Sequence, residues 1–342
     1  MRKVTMKDVA KMAGVSQPTV SHVINNTAPI SDSVREKVLL TIERLGYTPN
    51  AIAKSLKTKK TNVVGLIVPN VEIGYYAQIV KTVETSLRNE GMIIFLCDTF
   101  YDKSLEQKYI DTLIEHNVAG IIVAYSFVDE KISEKVISNN IPLVVIDDKI
   151  ESNKVLIPSI EIDNLEGGKM AAQHLCNIGA KRICYVSEPL YNTALKSRFE
   201  GFKEGLKERG VPFDEDLCFI EKNQYDKIEM GYNLGANIVL DSTIDAVFAS
   251  SDDLAFGIMR RLKEYNKNIP DDIALMGYDD VPMAKVISPE LTTISQPKIE
   301  MAKKGVYILQ KLINNIKLSE DEKEIILNPS LIIRKSTIKT SS

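Results

Sequence analysis

The sequence predicts an all-α helix-turn-helix head joined by a short connector to a two-lobed α/β body on doubly wound, mostly parallel sheets. Three observations carry this. Residues 1–60 hold three short amphipathic helical stretches broken by glycine and proline. From residue 61 onward, short apolar runs alternate with amphipathic helical ones, the pattern of parallel strands covered on both faces. That alternation is too long for one sheet of ordinary width, so two lobes are expected.

The first helix opens at Thr5, which can cap it with Asp8 as the reciprocal partner, and runs through Ala13 with Val9, Ala10 and Ala13 inward. Gly14 supplies the turn and Val15 packs beneath it. The second stretch, Ser16–Asn25, starts at a Ser16 cap and places Pro18 in the first turn, where its missing N–H costs nothing. Val20, Val23 and Ile24 face inward, leaving Gln17, Pro18, Ser21 and His22 outside. A third helix, Ser31–Leu45, has Val34, Val38, Ile42 and Leu45 on one stripe and Gly46 as its C-cap. Helix, glycine turn, helix and supporting helix is the helix-turn-helix plan, with the second helix presented to a DNA major groove. A small helical bundle with a merely solvated outer face is the competing reading.

Charge favours DNA. The chain of 342 residues carries a net charge of −3, but residues 1–60 hold 11 Lys and Arg against 4 Asp and Glu, leaving 32 against 42 in the rest. A basic head on an acidic body is the footprint of local nucleic-acid contact. The connector Tyr47–Asn50 is turn-prone, and Ala51–Lys57 offers one short helix capped by Asn50. Such a segment is marginal alone, so it reads as a basic linker or as a hinge that becomes helical on DNA. In the second case Leu56 wedges into the minor groove with Lys54 and Lys57 near phosphates.

The segment MKDVAKMAGVSQPTVSHVINN, followed by ERLGYTPNAIAKSLKT, resembles the head of the lac/galactose repressor (LacI/GalR) family of bacterial transcription regulators. The resemblance implies that Gln17, Pro18 and His22 read bases and that Leu56 is the hinge-helix leucine. The wider DNA-facing set is Thr5, Ser16, Thr19, Ser21, Asn25 and Tyr47, with Asn50, Ala53 and Lys57 in the connector. His22 in the TVSHVIN setting is the purine-repressor form, where many members carry Arg.

In the body the expected strands are Val63–Val68, Met92–Cys97, Gly120–Ala124, Leu143–Ile146, Ile183–Val186, Ala246–Ala249 and Ala274–Tyr278. Helices between them include Ala77–Glu90, Leu105–His116, Leu165–Ile178, Ser197–Arg209 and Leu254–Tyr265. Ligands in such folds bind beyond the carboxyl ends of strands. Those ends carry Tyr75–Tyr76, Asp98, Asp147–Asp148, Ser251–Asp252–Asp253 and Tyr278–Asp279–Asp280, with Arg198 in the first turn of a helix opening near Ser197. Carboxylates, one arginine and several tyrosines suit a polyhydroxy or heterocyclic small molecule. Each also has a plainer reading. Asp252 or Asp253 can be a helix cap, the tyrosines core packing, and Arg198 a surface partner of Glu200 or Glu204.

The segments DNLEGGKMAAQHL, SRFEGFKEGL, FASSDDLAFGIM, IALMGYDDVPMA, LTTISQP and LNPSLIIRKST extend the resemblance over the body. It is similar to the periplasmic-binding-protein type I fold that this family uses as an effector sensor. The resemblance puts effector contacts on Tyr75, Asp147, Arg198, Tyr225, Ser251 and Asp279, with Ser251 where many members have Asn. It divides the chain into a head (1–49), a hinge (50–60) and a body (61–342). The N-lobe is expected at about 61–162 and 291–323, the C-lobe at about 163–290 and 324–340, with crossings near Asp163, Leu291 and Glu324. It also implies a homodimer on a near-palindromic operator.

Other classes are disfavoured. There is no GxGxxG after a strand, no P-loop, no serine nucleophile elbow and no HExxH, so an enzyme is not expected. No cofactor and no metal site are expected. The four cysteines form no CxxC pair, and the three histidines lie far apart. The start MRKVTMKDVA has no apolar signal region, and a cytoplasmic protein with no membrane segment is expected. A small-molecule-binding protein without DNA function is the alternative, against which the basic head counts.

Overall fold

The computed structural model describes residues 4–25, 27–47, 61–125, 130–150, 156–190, 192–221 and 226–339. The chain divides into two compact units, Met1–Thr61 and Asn62–Ser342.

The first unit contains α1 (Met6–Ala13), α2 (Gln17–Asn25) and α3 (Asp32–Leu45). Thr5 and Asp8 form a reciprocal capping box at the start of α1, and Gly14 ends it in the left-handed conformation at φ 62°. Ser16 Oγ accepts from the Thr19 amide at 3.2 Å, capping α2. Ser31 precedes α3, but its side chain makes no capping bond. Gly46 at φ 59° lets the amide of Tyr47 reach back to the Ile42 carbonyl at 3.0 Å, and this closure turns the Tyr47 ring into the core. Val9, Ala13, Val20, Val23 and Val38 form the rest of that core, with Val34, Ile42 and Leu45 at its edge.

The second unit runs, in order, β1 (Val63–Val68), α4 (Gly74–Asn89), β2 (Ile93–Asp98), α5 (Lys103–Glu115), β3 (Gly120–Ala124), α6 (Glu130–Ser138), β4 (Leu143–Ile146) and β5 (Ser159–Ile162). Then come α7 (Asn164–Asn177), β6 (Ile183–Ser187), α8 (Thr193–Glu208), β7 (Cys218–Ile220), α9 (Lys227–Leu240), β8 (Ala246–Ala249), α10 (Asp252–Glu264) and β9 (Ala274–Asp279). The last are β10 (Thr292–Ser295), α11 (Lys298–Ile313), β11 (Glu324–Leu327) and β12 (Ser330–Ile332).

Two six-stranded sheets result, in the orders β11-β5-β4-β3-β1-β2 and β12-β10-β9-β8-β6-β7. The pairings given within them are parallel except β10 with β12. The central strands β1, β3, β4 and β8 are buried on both faces, which explains their continuous apolar runs.

The lobe boundaries differ from the sequence expectation at two crossings. The first is at Asp163, between β5 and α7. β10 pairs with β9 through Ile294 and Tyr278, so the C-lobe extends past Leu291 to Ser295. β11 pairs with β5 through Ile325 and Ile160, so the N-lobe extends past Glu324 to Leu327. The second and third crossings therefore lie at Gln296–Pro297 and Asn328–Pro329. Proline suits both, because it has no amide to contribute to a ladder.

Candidate functional site

In the head, α2 presents Gln17 and Pro18 fully exposed, with Thr19, Ser21 and His22 half-buried. The His22 Nδ1 lies 2.9 Å from Thr27 Oγ1. Thr5 is exposed, its hydroxyl donating to Asp8 at 2.6 Å. Asn25 is the last residue of α2. Tyr47 is 8% exposed and packs in the head's core. Asn50, Ala53, Leu56 and Lys57 lie outside the described residues, as does Tyr225 in the body.

In the body, the strand ends converge between the lobes. Arg198 is their centre on the C-lobe side. It lies in the second turn of α8 rather than the first, because the helix opens at Thr193 under an Asn192 cap. It is 5% exposed, which rejects the surface pairing with Glu200 or Glu204. α8 comes close to α7 because a β-carbon on Gly168 would collide with the Arg198 carbonyl, and one on Gly201 with that of Leu165. The guanidinium donates to the Ser250 carbonyl and, at 2.8 Å, to Asn164 Oδ1. It stacks 3.4 Å from the centroid of the Tyr278 ring. Tyr278 also donates to Asn164 Oδ1 at 3.1 Å.

Asp147 faces this group from the N-lobe, directly after β4, with φ at 66°. Its Oδ1 is buried and has no hydrogen-bond partner among the described residues. Burial pushes its carboxyl up to about 7; Tyr75 and Arg198 act against that, and Asp279 and Asp148 add to it. Asp279, with φ at 118°, is also raised by burial, opposed by Arg198, Lys227 and Lys298. Backbone held in such sparsely populated regions is typical of functional strand ends.

One amide joins the lobes. Gln296 Nε2 donates to Asp279 Oδ1 at 2.6 Å, and its Oε1 accepts from the Tyr75 hydroxyl at 3.1 Å. Lys298, at the start of the N-lobe helix α11, donates to the backbone carbonyl of Asp279 in the C-lobe. Tyr75 itself is core as well as site, packed edge-on to Tyr76 with centroids 5.0 Å apart.

Ser251 caps α10 by accepting from the Leu254 amide at 3.5 Å, so the cap is neither Asp252 nor Asp253. Asp252 is fully buried and accepts from Thr293 Oγ1 at 2.6 Å and the Val281 amide at 2.8 Å. Asp253 is pushed up to about 6 by burial, with Lys227 opposing. Asp98 uses its carboxylate locally, accepting from the amides of Val71 at 3.2 Å and Phe100 at 3.3 Å.

Sequence reasoning missed a buried ion pair here. Glu188, directly after β6, accepts from Lys227 Nζ at 2.6 Å and from Ser250 Oγ at 2.9 Å. Burial raises the Glu188 carboxyl, but Lys227, Arg198 and Ser250 together outweigh it and the net shift is downward. Glu188 is a strand-end acid like the others, so its position after Ser187 carried the signal. Lys227 opens α9, 39 residues later, and nothing local announces the pairing.

The space beside Asp147, Asn164 and Ser197 is only about 40 Å³. A larger depression of about 610 Å³ lies on the C-lobe between α7 and β12, lined mainly by apolar groups such as Met170, Leu331 and Ile338. It gathers no carboxylate, and its His174 ring is engaged with Thr337 at 2.9 Å. Converging charge, not volume, makes the interlobe cleft the candidate site. Among the described residues no cluster of His, Cys, Asp or Glu could hold a metal ion.

Residues 5–50 match the profile of bacterial regulatory proteins of the lacI family, and residues 61–336 that of periplasmic binding proteins and the sugar binding domain of the LacI family. The chain belongs to the LacI family of bacterial transcriptional regulators. It is 35% identical over 335 residues to the transcriptional repressor PurR of Actinobacillus pleuropneumoniae, covering 97% of this chain and 98% of that one. To the transcriptional regulator DegA of Bacillus subtilis it is 33% identical over 340 residues, covering 98% of each. Among solved structures, the lac repressor dimer bound to operator and the anti-inducer ONPF superposes with a TM-score of 0.84 at 25% identity, covering 99% of this chain and all of that one. The regulator CelR with cellobiose superposes at 0.72 and 26% identity, covering 98% of this chain and all of that one. These LacI-family relatives are regulators, not enzymes. No helix among the described residues is long and apolar enough to cross a membrane.

Proposed function

We propose that this LacI-family regulator binds a near-palindromic operator as a cytoplasmic homodimer and is switched by a small polyhydroxylated effector held in the interlobe cleft. The observation that carries the effector reading is the buried, pre-positioned Arg198, stacked on Tyr278 and facing Asp147 across the lobes. Gln17, Pro18 and His22 read bases, while Ser16, Thr19, Ser21 and Asn25 set α2 against the backbone. Thr5 adds a contact from the start of α1. Leu56, Asn50, Ala53 and Lys57 form the hinge that orders on DNA. Tyr75, Asp147, Arg198, Ser251 and Asp279 surround the effector, and Tyr225 stacks on it.

The cleft's chemistry narrows the effector class. Asp147 Oδ1, an acceptor, and Arg198 Nε, a donor, are both buried without a hydrogen-bond partner among the described residues, so the cleft offers both kinds of group to a ligand. A ligand rich in hydroxyls satisfies them, and an added phosphate is repelled. CelR was solved with cellobiose and an Enterococcus faecium family member with ribose, which fits a sugar-like ligand. Calorimetry on a panel of sugars, their phosphates and nucleobases tests this: a neutral polyol binding more tightly than its phosphate is expected, and preference for the phosphate contradicts it.

The dimer reading draws on exposed apolar groups. β2 is an edge strand, yet Ile93, Phe95 and Leu96 project from it into solvent. Long apolar edges invite pairing or burial. Leu240, 82% exposed, and Val286, 77% exposed, are further exposed apolar groups in the C-lobe. Sedimentation tests it, with a dimer expected and a monomer at micromolar concentration contradicting it.

A further inference from the structure

Thr27 lies five residues after His22 and holds it twice. Its backbone N–H donates to the His22 carbonyl at 3.3 Å, closing the end of α2. Its Oγ1 lies 2.9 Å from His22 Nδ1. The first contact fixes Thr27 relative to the helix, and the second fixes the imidazole relative to Thr27. With Nδ1 engaged, Nε2 is the one ring nitrogen left to meet a ligand. His22 is half-buried and Thr27 exposed, so the clamp sits at the surface of the head.

We propose that Thr27 is a positioning residue for base reading, and that it holds His22 with Nε2–H outward to donate to the major-groove edge of a guanine. This rests on α2 being the recognition helix. Three protonation states are open to the ring. If it is neutral and the Thr27 hydroxyl donates to Nδ1, the proton is on Nε2. If it is an imidazolium, both nitrogens carry protons and Nδ1 donates to Thr27. Only the neutral ring protonated on Nδ1 leaves Nε2 as an acceptor. A Thr27 hydroxyl donating to Nδ1 leaves the proton on Nε2, the donor that an acceptor-rich base edge calls for. Guanine displays two acceptors there, N7 and O6, whereas adenine sets an amino group beside N7 and cytosine offers only a donor. Fixing the ring before binding also removes the cost of ordering it on the operator.

The test uses the full chain and a randomised DNA duplex pool, from which the wild type selects its site. Thr27→Val keeps the side chain's shape and removes the hydroxyl. It is expected to lose about tenfold discrimination at one G·C pair, the same pair that His22→Ala relaxes, with the salt dependence of binding unchanged. Thr27→Ser restores the preference. The double variant discriminates no worse than His22→Ala alone, and 7-deazaguanine at that pair weakens the wild type but not Thr27→Val. The proposal is overturned if Thr27→Val selects with undiminished discrimination, if the two losses add, or if the relaxed pair is read at adenine, cytosine or thymine. Failure of the wild type to enrich any site overturns instead the reading of the head.

Discussion

The Arg198 guanidinium carbon lies over the Tyr278 ring, 3.4 Å from its centroid, and both side chains hydrogen-bond the same oxygen of Asn164. A long cation is thereby held in one orientation before any ligand arrives. Removing the Tyr278 hydroxyl with Tyr278→Phe should cost about 1 kcal/mol of stability, the net worth of one hydrogen bond. Tyr278→Leu should cost more and also weaken effector binding, because it removes a stacking worth about 0.5–2 kcal/mol. Equal effects of the two changes on binding would show that the ring plays no part.

The Glu188–Lys227 pair is buried on both sides, with 5% and 12% of the side chains exposed. Glu188→Gln leaves a buried ammonium without its counter-charge and should destabilise the body by about 3–5 kcal/mol. Glu188→Leu combined with Lys227→Met should recover most of that. Urea unfolding of the three proteins checks it; a double variant as unstable as the single one points to a pair that stabilises on balance.

Asp147 gives a pH signature. Its carboxyl is raised to about 7 in the fold against about 3.9 in an unfolded chain, so between those values the folded state holds a proton that the unfolded state has lost. The favourable contribution is complete below about pH 4 and is lost as pH rises toward 7. Asp147→Asn does not titrate, so its melting temperature should gain on the wild type between pH 4 and 7 and level off above. The gain is worth roughly a few kcal/mol at most. A gap that is constant with pH contradicts this placement of the carboxyl.

Leu56→Ala should weaken operator binding by a few kcal/mol, roughly the cost of an unstacked base step. Unchanged affinity together with unchanged DNA bending in gel-shift series would remove the wedge from the mechanism.

What was legible in the sequence was local. The Thr5–Asp8 box, the Ser16 cap and Gly46 each follow from residues a few positions apart, and they fixed the head. The apolar runs of β1, β3, β4 and β8 were read at their true bounds because a doubly covered strand has no polar face. The packing of Tyr47 in the head's core is not legible in Tyr47 itself, because it follows from the Gly46 cap that folds the next residue back onto the helix. β5, β7 and β10 to β12 are three or four residues long, so which lobe they join is decided by partners far away, such as Ile160 for Ile325. The cleft was legible as strand-end acids. Its wiring was not: Gln296 reaches Tyr75 across 221 positions, and no pattern in the sequence encodes that.

Occupancy of the cleft is expected to set the head's affinity for DNA. The most direct test measures operator affinity of the full chain, for wild type and Arg198→Ala, with and without the tightest-binding polyol. In the wild type a change of about 5- to 150-fold is expected, the usual span of such coupling. Arg198→Ala should keep effector-free DNA binding and show no change on adding the polyol. An equal response in both proteins, or none in the wild type with the cleft saturated, would contradict it.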